Sequence, residues 1–101
     1  MANTQSQGQQ NSQHLMQQPP MYHVIMHNDD VTTMDFVVML LMQIFRKSET
    51  DAETIMLKIH NEGSAIVGTY YKDIALSKAR VATELARDNN FPLQITTEEA
   101  Q

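Results

Sequence analysis

The run Met26-His27-Asn28-Asp29-Asp30-Val31-Thr32-Thr33-Met34 constrains this chain more than any other segment. It closes a short apolar stretch, Tyr22-His23-Val24-Ile25-Met26, and opens onto residues 34–45, which are apolar around nearly the whole circumference of a helix. A helix with no polar face must be sandwiched or leave an apolar surface for a partner. The polar junction before it is a place where carboxylate, amide and hydroxyl groups meet a ligand. A second segment, Met56-Leu57-Lys58-Ile59-His60, adds a polar group on the shoulder of an apolar face, four residues after Met56. Acceptors beside an apolar hole suit a small ligand, cationic at one end and apolar at the other.

A chain of 101 residues allows one domain with a modest core. Its net charge of -5 argues against nucleic acid or an anionic membrane as partner, because no basic patch neutralises phosphate. Without cysteine there is neither a disulfide framework nor thiolate chemistry. No apolar run approaches the roughly 18 residues of a membrane span, and the N-terminus has no secretory or transit pattern. Residues 1–20 hold seven Gln and no charged residue. Such a composition cannot bury enough apolar surface to offset its ordering entropy, so it is expected to be a disordered tail ending at Pro19-Pro20. The tail is either a passive solubiliser or a segment that a partner machine grips. Residues 21–101 are expected to form the single folded domain.

Periodicity predicts a strand over 22–26, then helix one from the capping-box-like Thr32-x-x-Asp35 to about Arg46-Lys47. Thr50-x-x-Glu53 is expected to cap helix two, which Gly63 ends. A strand over 64–70, helix three over 72–88, the Asn89-Asn90 break and a strand over 93–96 follow. The class is α+β: a small, mainly antiparallel three-stranded sheet packed with three helices, in the order β-α-α-β-α-β. Helix three should bury Ile74, Ala75, Ala79, Val81, Ala82, Leu85 and Ala86, leaving Leu76 on its polar side. In helix two the stripe is Ala52, Ile55, Met56 and Ile59.

His23, His27, Asp29 and Asp30 look superficially like metal ligands, but strand alternation and the absence of a ligand-spacing motif speak against it. No nucleophile elbow, phosphate loop or cysteine nucleophile is present, and no cofactor is implied. The plain structural role for Asp30 with Thr32 is to cap helix one. The binding role uses more of the residues. An ammonium group offers three donors; Asn28, Asp29 and His60 offer an amide oxygen, a carboxylate and a ring nitrogen. Met34, Met56 and Ile59 would wall an apolar pocket, where methionine adapts to several side chains. Each of these methionines would also serve as ordinary core.

Met21 to Asp30, then Thr32-Thr33-Met34-Asp35-Phe36-Val37, then Met56 to Gly63, with Gly68, Lys78, Ala86-Arg87 and a trailing Pro92-Leu93, resemble the ClpS family over about residues 20–98. The joint pattern is specific where each piece alone is weak. The resemblance implies an adaptor, not an enzyme. It implies recognition of a free N-terminal Leu, Phe, Tyr or Trp and delivery to a ClpA-type AAA+ unfoldase working with ClpP, in the bacterial cytoplasm. The α-amino group would be held by Asn28, Asp29 and His60. The side-chain pocket would be formed by Met26, Asp30, Thr32, Met34, Val37, Met56, Ile59 and Leu93, with Met34 excluding β-branched side chains. Asp73 and Lys78 would face the unfoldase, and the tail would be what it engages.

Five positions depart from the family pattern. Thr33 stands where Pro is common, and Ile59 replaces the usual Val, adding a methylene to the pocket wall. Met39 and Met42 occupy places usually polar, and Leu76 replaces a polar residue near the expected unfoldase surface. Two rival functions remain open from the residues alone. One is a small hydrolase or metal enzyme built on the His/Asp group. The other is a dimerising or interaction module that uses the apolar helix one.

Overall fold

The computed structural model describes residues 19–101. Strand β1 (Met21–His27) is central and pairs antiparallel with β2 (Ser64–Tyr71) on one side and β3 (Gln94–Glu99) on the other. Helix α1 (Met34–Gln43) packs on α2 (Glu49–Glu62), α2 packs on β2, and α3 (Lys72–Asp88) crosses all three strands. This is the expected α+β order and antiparallel sheet. The tail expected over 1–20 lies almost wholly outside the described residues; Pro19 and Pro20 are exposed.

Alternation along β1 fixes the sheet's two faces: Val24 and Met26 are fully buried, while His23, Ile25 and His27 point to the opposite side. On that outer face His23 Nδ1 pairs with Thr69 Oγ1 and His27 Nε2 with Thr96 Oγ1, each at 2.8 Å. The β1–β2 register slips between Val24 and Ile25, which face Gly68 and Ile66. Gly68 is needed there because a Cβ would run into the Tyr70 ring.

The helix ends differ from the sequence expectation in an instructive way. Thr33, not Thr32, caps α1: its backbone is extended and its hydroxyl accepts from the Phe36 N–H at 3.2 Å. Thr32 instead donates both its N–H and its hydroxyl to Asp29 in the preceding loop. Likewise Ser48 rather than Thr50 caps α2, accepting from Asp51 N–H at 3.1 Å. Helix α1 stops at Gln43, short of Arg46-Lys47, because Lys78 Nζ donates to the Ile44 carbonyl at 2.7 Å and the chain turns through Arg46 at φ 60. The Ile44 carbonyl is thus met from α3, while the Leu41 carbonyl accepts from the Lys47 backbone N–H at 3.0 Å. Gly63, at φ 93, ends α2 as expected.

The seam of α3 is Ala75, Ala79, Ala82 and Ala86, whose small side chains let the helix lie close on the sheet. Ile74 and Val81, expected inside, are exposed, because this alanine stripe is narrower than the apolar set in the sequence. Strand β3 begins one residue later and ends three later than expected, since pairing with β1 carries it to Glu99 opposite Tyr22. Helix α1 buries Phe36, Val37, Leu40 and Leu41 in the core, half-buries Val38 and Met39, and exposes Met42.

Candidate functional site

The loop between β1 and α1 is held by one residue. Asp29 accepts from the Val31 N–H at 2.8 Å and the Thr32 N–H at 2.7 Å through Oδ1, and from the Thr32 hydroxyl at 2.7 Å through Oδ2. This is an Asx-type turn made by Asp29, and the helix-capping role expected of Asp30 with Thr32 falls to Thr33 instead. Burial alone would push the Asp29 carboxyl up. The bonds from Thr32 and Val31 and the charge of Arg87 outweigh it, leaving the carboxyl below the ordinary value of 3.8. Three bonds leave about one of the four lone-pair positions of the carboxylate open for a further donor.

A second bond ties this loop to the far end of α2: the Asn28 N–H donates to the Gly63 carbonyl at 2.8 Å. Because Gly63 terminates α2, the bond sets Asn28 beside the last turn that carries His60. The result is a cavity of about 400 Å³ whose walls include Asn28, Asp29, Asp30, Thr32 and His60. Met34 and Val37 from α1 and Met56 and Ile59 from α2 supply its apolar side. No Lys or Arg lines it, and its groups are acceptors, two of them carboxylates. Such a cavity is built for a cation with an apolar body.

Nine of the eleven pocket residues expected from the sequence meet here. Met26 and Leu93 do not: both are fully buried in the core and neither lines the cavity. Met26 points with Val24 to the packed face of the sheet, and Leu93 sits just before β3, where the Arg87 guanidinium holds its carbonyl at 2.8 Å. Val31 and Thr33 line the cavity without having been expected. Thr33 carries only the general signal of a hydroxyl residue at a helix start, and nothing in the pattern marks Val31. Arg87, which also binds the Phe91 carbonyl at 2.9 Å, shapes this end of the molecule from outside the cavity. Asp73 and Lys78 lie elsewhere: Asp73 is exposed on the first turn of α3, and Lys78 is half-buried under Tyr70 and the end of α1. Among the described residues no group of three or more His, Cys, Asp or Glu could hold a metal ion, and no helix is long and apolar enough to cross a membrane.

The sequence profile of the family described as ATP-dependent Clp protease adaptor protein ClpS matches residues 17–96. The chain belongs to the ClpS family. The ATP-dependent Clp protease adapter protein ClpS of Desulfotalea psychrophila is 49% identical over 81 residues, 80% of this chain and 79% of that one. Its counterpart in Campylobacter jejuni is 50% identical over 84 residues, covering 83% and 88% of the two chains. The fold is shared with Agrobacterium tumefaciens ClpS2 bound to L-phenylalaninamide, at a TM-score of 0.80 and 41% identity over 82% of this chain and 100% of that one. As a ClpS chain the protein is an adaptor of the Clp protease and not itself an enzyme.

Proposed function

We propose that this ClpS chain captures proteins with a free N-terminal Leu, Phe, Tyr or Trp and delivers them to a ClpA-type unfoldase for degradation by ClpP, in the bacterial cytoplasm. One observation carries the reading: a single cavity without cations joins Asn28, Asp29 and His60 to a wall of Met34, Val37, Met56 and Ile59. The three acceptors match the three donors of a protonated α-amino group. Leaving them buried without donors would cost about 1–3 kcal/mol each, which disfavours an acetylated or internal residue. Thr32 and Asp30 frame the pocket mouth, while Met26 and Leu93 support it from the core.

The ligand of the related ClpS2 has the corresponding parts. L-phenylalaninamide is one residue with a free α-amino group and an aromatic side chain, and its carboxamide stands in for the peptide bond to a second residue. Asp73 in the first turn of α3 and Lys78 further along the same helix are the proposed contacts to the unfoldase.

The deciding experiment is fluorescence anisotropy with peptides identical after position one, starting with Leu, Phe, Ala or acetylated Leu. Binding of the Leu and Phe starts, lost on Ala and on acetylation, is the expected result. Equal or absent binding across the set would remove the reading.

A further inference from the structure

Helix α3 ends in a turn that is fixed twice over. The Asn90 N–H donates to the Arg87 carbonyl at 3.0 Å and the Phe91 N–H to the Ala86 carbonyl at 2.9 Å, with Asn90 at φ 63. This is a Schellman motif, and asparagine tolerates the left-handed position that it requires. A side chain then closes the same turn. One guanidinium nitrogen of Arg87 donates to the Phe91 carbonyl at 2.9 Å and to the Leu93 carbonyl at 2.8 Å. Arg87 thus clamps the loop between α3 and β3 on both sides of Pro92, which has no N–H of its own to anchor it.

The clamped turn sets Phe91 against α1. Its ring centroid lies 4.8 Å from that of Phe36, at an interplanar angle of 59°. Phe36 is buried in the first turn of α1, and its N–H is the one that the Thr33 hydroxyl caps. Thr33, Met34 and Val37 around it line the cavity, whereas Phe36, Phe91 and Arg87 do not. From the α3 side α1 is therefore held at its first turn by Phe91 and just past its last turn by Lys78.

We propose that Arg87 is a positioning residue for side-chain selection: by clamping the 91–93 turn it holds Phe91 on Phe36, and so fixes the first turn of α1 that carries Met34. The proposal rests on the N-terminal reading above and adds to it a residue outside the cavity. A gate against a branched Cβ fails if it can retreat. The Met34 side chain is exposed and flexible, so the resistance has to come from the backbone beneath it. The Thr33 cap and the tilted Phe36–Phe91 pair supply that resistance, and the pair keeps its place only while the Phe91 backbone does.

A ratio of affinities separates positioning from stability. A variant that only lowers the folded fraction weakens every peptide by one factor, whereas a loosened gate changes the preference among first residues. Loss of the Arg87 charge near Asp29 acts on the amino group common to all peptides, so it cancels in the ratio. Peptides identical after position one and starting with Leu, Ile or Val are compared by anisotropy on the full chain. Arg87→Met is expected to narrow the Leu-over-Ile and Leu-over-Val ratios by about fivefold. Phe91→Leu, which keeps an apolar side chain but loses the ring contact, should narrow them likewise. In a Met34→Ala background Arg87→Met should narrow them no further, because the gate is already gone. An equal loss across the three peptides in Arg87→Met, unchanged ratios in Phe91→Leu, or full additivity with Met34→Ala overturns the proposal and leaves N-terminal recognition intact. Should Arg87→Met fail to fold, the ratios in Phe91→Leu decide alone. If the unmodified chain fails to bind the Leu start, or binds it equally when acetylated, the N-terminal reading and this one fall together.

Discussion

Asp29 carries two duties, and they separate by pH. Its bonds to Val31 and Thr32 shape the loop, and the residue also lines the cavity. Because the folded carboxyl titrates below 3.8, its bonds stabilise the native state above the unfolded value and are lost as pH falls through the folded one. Asp29→Asn should therefore lower Tm near neutral pH and narrow its gap to the unmodified chain in acid, as followed by circular dichroism from about pH 6 to about pH 2.5. A constant gap would mean the carboxylate's charge contributes nothing to the fold. Met34 gives a cleaner functional test, since it is exposed at the helix start and lines the cavity without entering the core. Met34→Ala should admit peptides starting with Ile or Val to within about tenfold of Leu, because the added volume accepts a branched Cβ. Continued rejection of both in the anisotropy assay would move the gate to another residue.

Helices α1 and α2 show what periodicity reveals and what it conceals. Their existence and faces follow from apolar spacing, and Gly63 marks one end through a backbone conformation that favours glycine. Their N-terminal caps were ambiguous because Thr32-Thr33 and Ser48-Thr50 each offer two competent hydroxyls. In the first case Thr32 turns both its donors to Asp29 in the loop, and Thr33 takes the cap. The end of α1 was illegible for a similar reason: its last carbonyl is met by Lys78, 34 residues away in sequence. At the site, acceptors and methionines could be read from residue type and spacing. Val31 and the burial of Met26 and Leu93 could not, since they depend on how the sheet sits under the loop. Lys78→Met keeps the packing on Tyr70 while deleting the bond to Ile44, and should cost about 1–2 kcal/mol in urea unfolding. Gly68→Ala forces a Cβ against the Tyr70 ring and should cost about 1–3 kcal/mol, with no change in m-value. No loss in either variant would show that α3 and β2 adjust at those contacts without strain.

The buried core of the described domain runs from Val24 to Leu93, and the cavity draws its walls from residues 28–60. Among the described residues, neither includes one before Met21. Capture and delivery should therefore be separable in this chain. Anchoring needs the 28–32 loop and the α1–α2 walls, whereas pulling by an unfoldase needs a segment it can grip without first breaking the sheet. Residues 1–18, with no charge and few apolar side chains, have the composition of such a segment. Deleting them should leave Tm and the affinity for Leu- and Phe-starting peptides unchanged, because every described core and cavity residue is kept. It should abolish or sharply slow degradation of a Leu-starting reporter by ClpA and ClpP, followed as loss of reporter fluorescence. The deletion would then act as a decoy: mixed with the full chain, it should inhibit delivery in proportion to the substrate it holds. Undiminished degradation would place the grip on the folded domain itself, with the exposed first turn of α3 around Asp73 as the next surface to alter.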